Sequence, residues 1–227
     1  PLDRWLAYEQ WRNERLRLLE AASLVGAPPV DLAGRLAVTA RDREQLRRHW
    51  QPPDAPIAVL QPGATDPRRR WPAERFAAVG DALATAGAVV AVNGSSDERT
   101  LIEQVIRAMR SPATALCDLP LGALVALLER AGVLVSNDTG PLHLADAVGT
   151  PSVGIFWLPN LLAAQPLVAG QQRFAFSMQA DCPVCGVRNV RTRCPHDASY
   201  VDDVTADEVR ELALERLARA RPASRRA

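Results

Sequence analysis

The chain has 227 residues, of which 48% are hydrophobic and 23% are charged, and its formal net charge at pH 7 is +1. This near balance of charge argues against a nucleic-acid-binding protein, which would carry a strong positive field. The sequence contains no apolar run of about 18 residues, so we expect no membrane-spanning helix. Residues 1–20 are charged and amphipathic, unlike a secretory signal peptide, and we therefore expect a cytoplasmic protein.

Before residue 57 the sequence predicts two helices and a linker. Asp3–Ala22 is a charged segment with an imperfect apolar stripe, which is typical of a helix. Leu32–Val38 is predicted to form a short extended segment, and a second helix is predicted over Arg41–Trp50. The proline-rich stretch 51–56 is typical of a stiff, extended linker. We therefore assign residues 1–56 to an interdomain helix and linker region.

From residue 57 onward, predicted strands alternate with predicted helices of about ten residues or more. Five short apolar runs predict buried strands: Ile57–Leu60, Ala88–Val92, Ala113–Cys117, Val133–Val135 and Ser152–Phe156. This alternation predicts parallel βαβ units and hence an α/β fold, a Rossmann-like parallel sheet with helices on both faces. We place this domain at residues 57–200. Residues 201–227 are assigned to a C-terminal helix, Thr205–Ala220, and a basic tail.

The stretch from Val133 to Phe156 combines a strand, a tight loop, a helix and a second strand. The loop Ser136–Gly140 supplies turn and capping residues, and Pro141 suits the first turn of the helix. A strand that runs into a helix N-terminus places free N–H groups and a positive dipole end at the carboxyl edge of the sheet. Phosphate is the usual occupant of such an anion site, so we predict a phosphorylated ligand here.

Two other loops are predicted to reach the same edge of the sheet. Residues 61–70 follow the first strand and carry three consecutive arginines, and residues 93–98 follow the second strand. Ligands of open parallel sheets bind at this edge. The sequence contains neither a GxGxxG fingerprint nor a GxxxxGK[ST] motif, so it supports neither a dinucleotide site nor a P-loop.

Two motifs carry a resemblance to a known family. QPGATDPRRRWP begins at Gln61, and VSNDTGPLHLADAVGTPSVGIF begins at Val135. Together they resemble the C-terminal half of the family 9 glycosyltransferases, the ADP-heptose:lipopolysaccharide heptosyltransferases and their relatives, and the resemblance covers roughly residues 1–220. It implies a GT-B architecture in which this chain is the C-terminal, donor-binding domain. The chain begins at Pro1 rather than Met, and we expect an N-terminal acceptor domain, with the catalytic base, to lie outside it.

The resemblance implies a glycosyltransferase that uses a nucleotide-diphosphate sugar, with ADP-heptose as the expected donor, to extend a lipopolysaccharide core saccharide at the cytoplasmic face of the inner membrane. We expect an inverting, metal-independent reaction without a cofactor, because cations and a helix dipole can neutralise the leaving diphosphate. Two alternatives are a nucleotide-sugar-binding half without turnover of its own and a GT-B-like sugar-nucleotide epimerase. The basic stretch Arg219–Arg226 could add a weak contact with anionic lipid, although a solvated tail is the simpler expectation.

The motifs also suggest individual roles. Arg69 takes the place of the lysine in the family's KRWP motif, and we predict that it neutralises the leaving diphosphate. An arginine at this position keeps the positive charge but carries it on a planar guanidinium group instead of a compact ammonium group. The predicted substrate contacts are Gln61, Thr65, Glu98, Asp138, Thr139, Gly140 and His143. Three of these have structural alternatives: Asp138 could cap the helix, His143 could make a structural hydrogen bond, and Glu98 could be a first-turn acid.

Three cysteines and a histidine lie close together near the end of the chain. Cys182, Cys185, Cys194 and His196 form a C-x2-C-x8-C-x-H array. We expect reduced loop cysteines, because similar segments recur in the family outside its catalytic machinery. Three sulfurs and an imidazole would also satisfy a tetrahedral Zn²⁺ ion, so a structural zinc site is one alternative and a disulfide is another.

Overall fold

The computed structural model describes residues 4–29, 31–168, 170–190 and 192–220. These residues form an α/β fold around a single six-stranded sheet, whose strands are β1 (Ile57–Gln61), β2 (Val89–Gly94), β3 (Ala113–Cys117), β4 (Val133–Asn137), β5 (Ser152–Trp157) and β6 (Gln172–Ser177). The strand order is β3-β2-β1-β4-β5-β6, and every neighbouring pair is parallel. The predicted fold class is therefore confirmed.

Eight helices surround the sheet in the described part of the chain: α1 (Glu14–Leu24), α2 (Ala40–His49), α3 (Ala73–Thr85), α4 (Arg99–Ala108), α5 (Leu121–Arg130), α6 (Gly140–Val148), α7 (Leu158–Ala164) and α8 (Ala206–Arg219). Short 3-10 turns lie at Pro67–Arg69 and Ser96–Glu98. None of the described helices is both long enough and apolar enough to cross a membrane.

The sheet separates two hydrophobic cores, as a helix layer on each face requires. Alternate side chains of β1 point to opposite faces, so Ala58 and Leu60 join one core while Ile57 and Val59 join the other. The first core is closed by α3, α4 and α8, and the second by α2, α5, α6 and α7. Because both faces are buried, the central strands are continuous apolar runs, which is why the sequence identifies them.

Strand β6 and helix α7 were not predicted. β6 reads Gln-Arg-Phe-Ala-Phe-Ser and lies at the edge of the sheet, where several of its side chains are partly exposed. Its pairing with β5 from Ser152↔Gln172 to Trp157↔Ser177 defines it as a strand. An edge strand with one partner needs no continuous apolar run, so its composition does not distinguish it from a loop.

One prediction for the N-terminal region is wrong. The helix predicted over Asp3–Ala22 begins only at Glu14, because the side chain of Asn13 accepts a hydrogen bond from the amide of Arg15 and caps the helix there. Asp3 itself lies outside the described residues. Leu32–Val38 belongs to no helix or strand, and its extended conformation stays a prediction. The second helix is present as α2, and it begins with the predicted Thr39 cap, whose partner in a capping box is Asp42.

The C-terminal helix is present close to its predicted position. Thr205 caps α8 by accepting from the amide of Glu208, and the buried residues Val209 and Ala213 pack it into the same core as α3. α8 is therefore joined to the sheet by a shared core rather than set apart from it. Residues 221–227, which include most of the predicted basic tail, lie outside the described residues.

Candidate functional site

A cavity of about 320 Å³ opens at the carboxyl edge of the sheet, beside β1 and β4. The strand order reverses at this point, since the chain continues from β1 to β2 and β3 on one side and then crosses to β4 on the other. Loops that leave two neighbouring strands in opposite directions create a crevice between them. Five of the eight residues predicted from the motifs line it: Gln61, Thr65, Glu98, Thr139 and Gly140.

The N-terminus of α6 forms one wall of this cavity. Thr139 is the extended N-cap residue, Gly140 is the first helical residue, and Pro141 follows it, as the sequence predicts. A Cβ atom built on Gly140 would meet no atom within 4 Å, so open space lies in front of this backbone. Backbone N–H groups and the positive dipole end of α6 are therefore available to an anion in the cavity.

Asp138, Arg69 and His143 form a cluster that adjoins Thr139 but does not line the cavity. Arg69 Nη1 donates to the Asp138 carboxylate at 3.0 Å and to its backbone carbonyl at 3.1 Å. His143 Nε2 lies 3.5 Å from the other carboxylate oxygen. The Asp138 side chain is only 5% exposed, so this charge is buried and matched by a cation. The structure thus assembles three predicted site residues and gives Arg69 a protein partner.

The other two arginines of the 68–70 run hold the loop in shape. Arg68 forms an ion pair with Asp66 at 2.6 Å, and Arg70 Nε donates to the carbonyl of Ala64 at 2.8 Å. Burial raises the pKa of Asp66, but the hydrogen bonds from the Arg68 side chain and backbone outweigh this and keep that pKa below its ordinary value. The arginine run is therefore a set of distinct contacts and not a solvated charged loop.

Glu98 has the predicted structural role at the start of a helical turn, and it also lines the cavity. Its carboxylate accepts from the amide of Ser95 at 3.1 Å and so serves as the acid of a capping box. The same carboxylate also lines the cavity and lies over Gly63, where any Cβ atom would overlap it. A side chain at position 63 would therefore require the Glu98 carboxylate to move from its position over this loop.

Asn137 organises this site, although its role was not predicted. It is fully buried, its Nδ2 donates to the carbonyl of Pro62 at 2.7 Å, and its Oδ1 accepts from the amide of Trp71 at 3.2 Å. One side chain at the end of β4 thus holds both ends of the 62–71 loop. The side-chain amides of Gln61 and Asn93 are also buried, and the hydrogen bond between them joins the ends of β1 and β2 over 2.6 Å. The sequence feature that could have indicated both sets of contacts is an amide side chain at the end of a predicted strand.

We expect Asn137→Ala to lower the free energy of unfolding by about 2–4 kcal/mol, because it leaves a buried carbonyl and a buried amide without partners. Urea unfolding of the two proteins measures this difference. Asn160→Ala is a matched control on α7, away from the cavity, and should change stability by no more than about 0.5 kcal/mol. Equal stability of Asn137→Ala and the unmodified chain would contradict this account of the loop.

The family model for glycosyltransferase family 9 (heptosyltransferase) matches residues 8–183. The chain belongs to glycosyltransferase family 9. A curated relative of this family 9 chain, lipooligosaccharide heptosyltransferase 2 of Haemophilus influenzae, is 29% identical over 109 residues, which represent 45% of this chain and 32% of the relative. The matched stretch therefore spans about a third of that relative.

Two solved structures share the fold of this family 9 chain. A family 9 glycosyl transferase from Veillonella parvula has a TM-score of 0.74 at 20% identity, and the match covers 95% of this chain and 62% of that one. The ADP-heptose lps heptosyltransferase II of E. coli has a TM-score of 0.65 at 20% identity, with 81% and 53% coverage. The predicted family is thus confirmed, and the predicted site residues remain predictions.

A second cluster of functional groups lies apart from the cavity lining in this family 9 chain. The ligand atoms of Cys182, Cys185, Cys194 and His196 all lie within 4.8 Å of one another. None of the four cysteines of the chain, all of them in its described part, forms a disulfide. A hydrogen bond from the buried amide of Asn189 lowers the pKa of Cys194 to about 6. The sequence array therefore folds into one compact group of four possible ligands.

Proposed function

We propose that this chain is the donor-binding part of an inverting, metal-independent glycosyltransferase that transfers heptose from ADP-heptose to a lipopolysaccharide core saccharide. The observation that carries this proposal is the cavity at the point where the strand order reverses, in a chain of glycosyltransferase family 9. The N-terminus of α6 forms one wall of this cavity. The names of a curated lipooligosaccharide heptosyltransferase and of a structural neighbour that includes ADP-heptose support the choice of donor and acceptor.

The diphosphate of the donor would bind where the cavity offers hydrogen-bond donors and positive charge. Gly140 supplies a backbone amide at the start of α6, and Thr65 supplies a hydroxyl on the opposite loop. Negative charge builds on the diphosphate as the sugar leaves, and fixed dipoles in a preorganised site stabilise that charge without rearrangement. This arrangement can perform the role that a divalent cation has in other transferases, which supports a metal-independent reaction.

Arg69 would add a cation beside the same helix N-terminus. The buried carboxylate of Asp138 fixes its position through Nη1, so the guanidinium does not need to become ordered when the donor binds. Asp138 and His143 would then organise the edge of the site that faces the sugar, in keeping with their predicted roles. The charge on Arg69 would counter the developing charge on the leaving group.

The base that deprotonates the acceptor is assigned to an acceptor domain outside this chain. The two carboxylates that line the cavity and the one beside Thr139 each accept a hydrogen bond from the protein: Glu98 from Ser95, Asp118 from Ser96 and Asp138 from Arg69. A general base must lie within hydrogen-bond reach of the acceptor hydroxyl and be free to take its proton. These contacts support a base on the other wall of a two-domain cleft. We also propose that the transfer takes place at the cytoplasmic face of the inner membrane.

Calorimetry and transfer assays test the proposal together. We expect the chain to bind ADP in buffer containing EDTA and to transfer no heptose by itself. Joined to its acceptor domain, it should transfer heptose to a heptose-deficient core saccharide, with inversion at the anomeric carbon. A strict requirement for Mg²⁺ would contradict the metal-independent reaction. Conversion of ADP-heptose without any acceptor would indicate the epimerase alternative instead.

A further inference from the structure

The cluster of Cys182, Cys185, Cys194 and His196 has the composition and geometry of a metal site. We propose that these four residues bind one structural Zn²⁺ ion, which fastens the 181–196 segment to the loop that carries the arginines. This site lies outside the proposed donor cavity and does not depend on the proposed function.

The distances between the ligand atoms fit a single ion. Zn–S bonds of about 2.3 Å and Zn–N bonds of about 2.0 Å in a tetrahedron place neighbouring ligand atoms about 3.5–3.8 Å apart. Cys182 Sγ and His196 Nδ1 are 3.8 Å apart, and all four ligand atoms lie within 4.8 Å of one another. A contraction of an ångström or less would bring the group to the geometry of a bound ion.

The backbone around the first two cysteines is shaped to present both sulfurs to one side. The chain turns at Gly186, whose φ of +72° is in the left-handed region that favours glycine. The amide of Gly186 donates to the carbonyl of Cys182 at 2.9 Å, and the amide of Cys182 donates to the carbonyl of Val187 at 2.8 Å. The amide of Val184 also points at Cys182 Sγ, at 3.4 Å. The tight hairpin and the N–H group directed at sulfur therefore hold the Cys182 side chain in place.

The third cysteine is held by a buried side chain. Asn189 Nδ2 donates to Cys194 Sγ at 3.0 Å, and Asn189 Oδ1 accepts from the amide of Cys194 at 2.8 Å. Asn189 is buried, so these two bonds set the direction of the sulfur before any ion arrives. Such hydrogen bonds to ligand residues are the usual outer support of a metal site.

The segment that follows His196 is bonded directly to the arginine loop. Ser199 Oγ donates to the carbonyl of Arg70 at 2.8 Å, and the amide of Tyr200 donates to the carbonyl of Arg68 at 2.8 Å. An ion that anchors Cys182, Cys194 and His196 would therefore also restrain the backbone of the arginines. This gives the site a structural role.

The donor set favours zinc over other occupants. Three sulfurs and one imidazole nitrogen, with a C-x2-C pair and no open position, match closed structural zinc sites. Hard cations such as Mg²⁺ and Ca²⁺ prefer oxygen ligands, which this cluster does not offer. A disulfide would consume two of the sulfurs, whereas all three cysteines of the cluster are free in the structure.

Metal analysis of the purified full chain tests the proposal. After expression in zinc-supplemented medium, we expect one zinc ion per chain by mass spectrometry, and we expect Cys185→Ser and His196→Asn to lose it. Cys185 is exposed, so its substitution should leave the fold intact. Cys117→Ser is the matched control, because Cys117 lies on β3 outside the cluster and should retain full zinc content. Replacement of zinc by Co²⁺ should add visible thiolate–cobalt absorption that Cys185→Ser changes and Cys117→Ser does not.

Three results would overturn the assignment. The first is a folded chain that holds no metal after expression in zinc-supplemented medium and in which all three thiols of the cluster react with a thiol reagent. The second is an unchanged zinc content in Cys185→Ser and His196→Asn. The third is iron in place of zinc in chain purified from medium that contains both metals, because iron is the main competitor for a sulfur-rich site.

Discussion

Arg69→Ala should slow heptose transfer about 10²–10³-fold, equivalent to about 2.7–4 kcal/mol of transition-state stabilisation, which is the range for one preorganised electrostatic donor. The proposed reason is that Arg69 is the cation beside the N-terminus of α6, and that Asp138 holds it in place. The loss should appear mainly in kcat, because the charge on the leaving diphosphate develops only as the sugar departs. Steady-state kinetics of the chain joined to its acceptor domain measure this change.

The ion pair makes a double-mutant cycle necessary. Removing Arg69 leaves the Asp138 carboxylate buried without its cation, which could distort the site by itself. Asp138→Asn in the Arg69→Ala background removes that charge, and the rate should remain low if Arg69 acts on the leaving group. Arg69→Lys should recover part of the rate. Recovery of the full rate by the double variant would show that Arg69 only neutralises Asp138 and would contradict its catalytic assignment.

Gly140→Val should weaken ADP binding to the chain by at least about tenfold, or about 1.4 kcal/mol. The new side chain would project into open space in the cavity and keep the diphosphate away from the backbone amides at the start of α6. Gly140 does not have a positive φ, and a Cβ atom there meets no neighbouring atom, so the variant should fold normally. Calorimetry with ADP and a thermal melt measure the two effects separately.

Gly34→Val is the matched control for this substitution. Gly34 is exposed, lies outside the cavity lining and has no atom within 4 Å of a built Cβ. Gly34→Val introduces the same valine side chain at a position outside the cavity, so the affinity for ADP should stay the same. If Gly140→Val also binds ADP with unchanged affinity, the diphosphate does not lie at the start of α6.

The sequence by itself determined the fold class and the position of the helix start that lines the cavity, because both depend on local patterns. The strands β1 to β5 are recognisable as apolar runs since both sheet faces are covered by helices. Thr139, Gly140 and Pro141 form a helix start through their own backbone preferences, and the alternation of elements places that start at the carboxyl edge of the sheet. Residues within a few positions of each other were sufficient for these conclusions.

Only the tertiary structure decided which side chains meet. Arg69 and Asp138 are 69 positions apart, and Asn137 joins Pro62 to Trp71 across the sheet, so no local pattern could reveal these bonds. Asn13 at the start of α1 donates to the carbonyl of Gln165, 152 positions away, and β6 is a strand only because β5 offers it a parallel edge. Local preference sets where helices and strands can form, whereas hydrogen bonds and ion pairs over long sequence separations depend on how the chain packs.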